Sequence, residues 1–237
     1  MFFLAKTSKT TKTLGVVNAI CLSLVCLYVA IHIPSFSLAT YTNHYAYFDT
    51  AALIGMSDTD LLAVTERLIG YIAGRYPDLM IYATVQGDYR LFFTQREIDH
   101  MVDVLLLFNL ARMVVAVATV TFLVTWFYAY KKEALQWFYK ANFVTGLVVT
   151  VIGMVLAILF SGDFIYHFHR FHDIFFFFDH EQLWLLNPQE DMLINMVPYV
   201  FFINIFVRIG IIFASLTLAS LALFGTLLWR GRNRYHF

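Results

Sequence analysis

The chain has 237 residues, 60% of them hydrophobic and 14% charged, with a mean hydropathy of +0.70 and a formal net charge of zero at pH 7. That composition excludes an ordinary soluble domain and offers no basic stripe for nucleic acid, so it predicts a multi-pass membrane protein. The two cysteines, Cys21 and Cys26, lie inside the first apolar run, where a five-residue helical spacing turns them to different sides and indicates neither a disulfide nor a metal site.

Residues 1–13 form a short polar tail carrying Lys6, Lys9 and Lys12. Residues 14–34 read as the first transmembrane helix, since Leu14 to Ile33 is almost wholly apolar and at helical rise covers roughly the 30 Å hydrocarbon core. The run is longer than the apolar core of a signal peptide, so retention is expected despite the small residues near Ser37-Leu38-Ala39, and Pro34 is expected to end the helix. Residues 35–99 are too polar to span and read as a small α+β cap. Within it, Ser57 followed by Asp60 opens an amphipathic helix ending near Gly74 and Pro77, and Leu79–Val85 and Tyr89–Phe93 flank Gln86-Gly87-Asp88 as a β-hairpin.

Thr94-Gln95-Arg96-Glu97 has the form of a capping box, so a helix is expected from Thr94 that enters the second span, residues 100–130. A basic connection, 131–140, leads to the third span, 141–160. Residues 161–197 form an aromatic, histidine-rich segment, residues 198–229 the fourth span, and 230–237 a basic tail. The fold class is an all-α integral membrane four-helix bundle with a small α+β cap. Every lysine, with Arg230, Arg232 and Arg234, lies in the tails or the 131–140 connection, whereas Glu133 is the one acid there. By the positive-inside rule both termini are cytoplasmic and the segments 35–99 and 161–197 are extracellular.

The chemistry-bearing residues gather in those outer segments. His100 shares a helical stripe with Glu97 and Asp103, three residues to either side, so a carboxylate could orient its ring; the plainer alternative is an amphipathic anchor where a helix enters the interface. Tyr166 to Trp184 holds His167, His169, His172 and His180 among phenylalanines. The HxHxxH spacing invites a metal, yet histidines two apart diverge on a helix and no cysteine or second histidine box accompanies them. Ile174 to Phe178 reads either as cap packing or as a segment in the interfacial layer. Arg112 and Arg208 each lie about ten residues below the outer end of a span, roughly 15 Å down at helical rise, where a cation must find acceptors or a polar cavity.

Two separated blocks resemble a known family. Glu97-Ile98-Asp99-His100-Met101-Val102-Asp103-Val104 is similar to an ExxHMxDV pattern, and Phe171-His172, the phenylalanine run, Trp184, Asn187-Pro188, Asp191, Ile194, Pro198 and Phe201-Phe202 are similar to the downstream pattern of the bacterial lipoprotein intramolecular transacylases. The resemblance implies a membrane acyltransferase of bacterial cells, four spans with an extracellular cap, and two catalytic histidines falling on His100 and His172. It implies a substrate too, a diacylglyceryl-cysteine lipoprotein whose sn-2 acyl chain moves to its own α-amino group, and it implies no cofactor. Either histidine could be the base, with Glu97, Asp103, Arg112, Arg208 and Trp184 as supporting residues. Membrane lipid is the other expected partner, nucleic acid is not expected, and the oligomeric state is open. The alternatives are a metal- or haem-binding membrane protein and a non-catalytic lipid- or protein-binding component.

Overall fold

The computed structural model of the chain describes residues 8–176 and 182–233. Elements follow in the order α1 (Lys9–Phe36), α2 (Leu38–Phe48), α3 (Thr50–Ile54), α4 (Asp58–Ile72), β1 (Tyr82–Val85), β2 (Asp88–Leu91), α5 (Gln95–Lys131), α6 (Leu135–Gly162), α7 (Phe164–Phe175), α8 (Met192–Met196) and α9 (Tyr199–Asn233). Among the described residues α1, α5, α6 and α9 are the helices long and apolar enough to cross a membrane. The architecture is an all-α membrane-spanning set with a small α+β cap, the class read from composition and periodicity. Pro34 does not end α1, which continues to Phe36. A proline in the last turn removes one backbone bond, which the flanking turn tolerates.

The chain divides into two compact units. One contains the described parts of Met1–Ile31, Arg112–Leu159 and Ile209–Phe237. Apolar side chains face outward along its helices, as Val117, Leu123, Val151, Ile158 and Leu218 do, which is the pattern of a surface solvated by lipid. Inside, polar side chains provide what hydrophobic burial cannot in hydrocarbon. Asn18, wholly buried, donates through Nδ2 to the Phe122 carbonyl at 3.0 Å and to Thr125 Oγ1 at 2.9 Å, and its Oδ1 accepts from Asn142 Nδ2 at 3.0 Å. Three helices are thereby joined at one level.

The other unit, His32–Ala111 with the described parts of Phe160–Arg208, holds the cap. Ser57 caps α4 by accepting from the Asp60 amide at 3.1 Å, and α4 buries Leu61, Leu68, Ile69 and Ile72 of the stripe expected from its sequence, with Val64 buried in place of the expected Leu62, which is half-buried. The hairpin forms with β1 and β2 antiparallel and Val85 opposite Asp88. Gln86 and Gly87 make its two-residue turn at φ 53° and 89°, a left-handed pair that glycine adopts at no steric cost. Residues 35–56, read from sequence only as mixed and non-spanning, fold as α2 and α3. Tyr41 and Tyr45, one turn apart, bury their rings, and Tyr45 Oη bonds Thr65 Oγ1 on α4 at 2.9 Å.

The start of α5 is tied to the chain just before α8. The capping box forms as its sequence predicts: Thr94 Oγ1 accepts from the Glu97 amide at 3.3 Å, and Glu97 Oε2 accepts from the Thr94 amide at 2.6 Å. Glu97, fully buried, also accepts from the Leu193 amide through Oε1. Thr94 Oγ1 donates to Asp191 Oδ1 at 2.9 Å, and Asp191 Oδ2 accepts from the Asn187 amide at 2.7 Å.

Two outcomes are expected from these networks. Asn18→Leu should lower stability by about 1 kcal/mol, with Asn18→Leu/Asn142→Leu losing less than the sum of the single changes, because both partners are removed together; unfolding titrations in detergent measure this. Glu97→Ala leaves the buried Leu193 amide without an acceptor at roughly 1–3 kcal/mol and the half-buried Thr94 amide without one at less, and faster hydrogen exchange at Thr94 and Leu193 should accompany the loss.

Candidate active site at two histidines

His100 lies on α5, one turn beyond Glu97, and is 7% exposed. His172 lies on α7 and is 8% exposed. Far apart in sequence, their rings come together with centroids 6.2 Å apart and planes inclined by 36°. Both belong to the cap unit.

Helix α7 starts where Asp163 Oδ1 accepts from the Tyr166 amide at 3.0 Å. Phe168, His172 and Phe176 recur every four residues and so share one side. His172 Nδ1 donates to the Phe168 carbonyl at 2.8 Å, since a carbonyl can only accept. That bond fixes the tautomer of the neutral ring and leaves Nε2 as its basic nitrogen. Aromatic rings enclose the imidazole: Trp184 stacks on it at 4.8 Å and 30°, Phe176 at 5.5 Å and 24°, and Phe168 packs at 4.3 Å. Phe176 lies 5.5 Å from the His100 ring as well, so one buried phenylalanine touches both imidazoles.

Burial pushes the His172 pKa below the usual imidazole value. The bond to the Phe168 carbonyl opposes that shift, His169 adds to it, and Asp173 opposes it. The site therefore favours an uncharged His172 at neutral pH, ready to accept a proton.

The other histidines of the aromatic segment turn elsewhere. His167 packs on Phe160 at 5.1 Å, and His169 Nε2 pairs with Tyr199 Oη at 3.2 Å while its ring meets Trp184 at 5.1 Å. His180, with Phe177 and Phe178, lies outside the described residues. Among the described residues no group of three or more His, Cys, Asp or Glu is placed to hold a metal ion.

Of the expected supporting residues, Trp184 contacts His172 directly. Glu97 acts on backbone: its two oxygens take the Thr94 and Leu193 amides, fixing the helix turn that carries His100. Asp103 is half-buried on α5. Arg112 is half-buried and falls in the spanning unit, whereas Arg208 is exposed on α9 and falls in the cap unit. Sequence reasoning left Phe168 and its carbonyl unassigned, although the four-residue recurrence of Phe164, Phe168, His172 and Phe176 marks one helical face.

No curated protein sequence matches the chain at a significant level. Among solved structures it is similar to an in meso structure of the membrane integral lipoprotein intramolecular transacylase Lit from Bacillus cereus, with a TM-score of 0.78 and 16% identity over 94% of this chain and 98% of that one. Two further structures of that protein, each with one histidine replaced, by arginine in one and alanine in the other, give TM-scores of 0.74 at 16% identity and cover 95% and 94% of this chain, and 95% and 96% of theirs. At that identity the likeness establishes a shared membrane fold. The family model for lipoprotein intramolecular transacylase Lit matches residues 16–202, which take in the hairpin, the capping box, both histidines and the start of α9. The chain belongs to the lipoprotein intramolecular transacylase family.

Proposed function

We propose that the protein moves the sn-2 acyl chain of a diacylglyceryl-cysteine lipoprotein onto the α-amino group of that same cysteine, with His172 as base and His100 as acid. The observation that carries this reading is the meeting of two buried imidazoles in an aromatic enclosure, within a chain of this family.

The α-amine, with a pKa of about 8, is mostly protonated at neutral pH, and the productive nucleophile is its neutral form. His172 Nε2 takes a proton as the amine nitrogen forms a bond to the ester carbonyl carbon. His100 gives a proton to the glyceryl oxygen as the carbon–oxygen bond breaks. The products are an amide at the cysteine nitrogen and a free hydroxyl on the glyceryl group, with no water consumed. Because nucleophile and ester belong to one molecule, no acyl-enzyme is required, in keeping with cysteines confined to α1.

The enclosure around His172 has two tasks in this scheme. Phe168, Phe176 and Trp184 exclude water that would hydrolyse the ester. When the ring becomes an imidazolium, the face of Trp184 lies against it at stacking distance and offers a favourable quadrupole. Dense packing also restricts the rotamers available to both rings, and holding amine and ester together supplies much of the rate that orientation can give. The concentration of lysine and arginine in the tails and the 131–140 connection supports a site on the extracellular side, with both termini cytoplasmic.

Mass spectrometry of a diacylated lipoprotein co-expressed with the protein tests the reading. The wild type should give the N-acyl lyso-form, and His100→Ala and His172→Ala should each reduce it by about 10²-fold or more. Full acyl transfer by both variants would overturn the assignment. Beside the substrate amine's own titration near pH ~8, the limb of the pH–rate profile that belongs to His172 should lie below the ordinary imidazole range, because burial disfavours the protonated base and its contribution is lost as pH falls through that lowered value. Trp184→Ala admits water, relieves the desolvation that is the largest cause of the shift, and should move that limb to higher pH while lowering kcat; Trp184→Phe should keep the limb near its wild-type position.

A further inference from the structure

Apart from the histidine pair, the cap holds a cavity of about 320 Å³ lined by Phe36, Leu38, Glu66, Ile69, Arg75 and Tyr76. All six residues belong to the cap unit. Phe36 is the last residue of the membrane-crossing helix α1, and Leu38 is the first of α2. The cavity therefore stands where hydrocarbon gives way to the head-group layer, and its size falls in the range of ligand pockets.

Its walls are built rather than incidental. The Arg67 guanidinium sits 3.9 Å from the centre of the Tyr76 ring and is bonded to Asp78 at 3.4 Å. The Cδ2–Cε2 edge of the Tyr76 ring presses on Gly70, where a Cβ would come within 2.3 Å of it. Glycine at position 70 is thus what lets the edge of the ring come up against α4. Phe36, Leu38 and Ile69 supply an apolar floor, and Glu66 and Arg75 place one acid and one base at the rim. Among the described residues neither of those two charges forms an ion pair.

Opposite charges that share a rim without neutralising one another, above an apolar floor, complement a ligand that is itself zwitterionic with a greasy stem. We propose that this cavity binds the head group of a membrane phospholipid carrying both a phosphate and a primary ammonium. Arg75 takes the phosphate oxygens, Glu66 accepts from the ammonium, and the glycerol stem rests on Phe36, Leu38 and Ile69. Binding is non-covalent and independent of the acyl transfer assigned to the histidines. A lipid held there ties the junction of α1 and α2 to the membrane surface on the cap side.

The test is native mass spectrometry of the full chain released from phosphatidylcholine nanodiscs doped with equal amounts of phosphatidylethanolamine and phosphatidylglycerol. The wild type should retain phosphatidylethanolamine over phosphatidylglycerol by about fivefold. Glu66→Gln should erase that preference while retaining lipid, and Arg75→Gln should lose retention of both. Equal retention of the two lipids by the wild type, or unchanged retention in both variants, overturns the proposal. The readout is retained lipid, so a failure here is distinct from a failure of acyl transfer.

Discussion

The carboxylate of Glu97 closes a sequence gap of 96 residues by accepting from the Leu193 amide, and the histidine geometry depends on that closure. Its other oxygen completes the capping box at Thr94, whose hydroxyl in turn donates to Asp191. The start of α5 and the stretch from Asn187 to Leu193 are thereby knotted together. His100 lies one turn past Glu97, and Trp184, three residues before Asn187, stacks on His172. Two buried acids satisfied by backbone amides and one hydroxyl are costly to break, above all at Leu193, whose amide would be left away from water. Neither acid contacts the reacting groups in the proposed scheme, yet together they bracket both histidines.

The spanning unit and the cap solve different problems with different chemistry. Within hydrocarbon, apolar side chains gain nothing by leaving lipid for protein, so specificity falls to Asn18, Asn142 and Thr125. In the cap, water is the alternative, and Leu61, Leu68, Leu79, Phe92, Phe93 and Met196 bury almost all of their surface in a conventional core. The histidine pair belongs to the cap unit, where a rigid core can hold rings at fixed angles while aromatic side chains lower the local dielectric. His172 shows the combination in one residue: a backbone carbonyl selects its tautomer, and burial keeps it neutral.

Length and apolarity specified four spans because a bilayer allows few solutions, and the Ser57 and Thr94 caps appeared where short-range hydrogen bonding dictates. The Gln86-Gly87 turn was equally local. The helices α2 and α3 were not legible, since their polar and aromatic residues carry a weak period and gain their place by packing Tyr41 and Tyr45 against the rest of the cap. Pro34 lies inside the last turn of α1, where a proline breaks less than one in the middle of a helix.

Sequence by itself determined the solvent of this protein, the number of its spans, the caps of α4 and α5, and, through two separated blocks, which histidines to compare. Those are consequences of composition, periodicity and contacts a few residues long. Tertiary structure alone decided that the rings of His100 and His172 meet, that Phe176 lies against both, and that Glu97 acts on the Leu193 amide. Each of these depends on where α7 and α8 pack against α5, and packing between segments so distant in sequence leaves no periodic mark in either one.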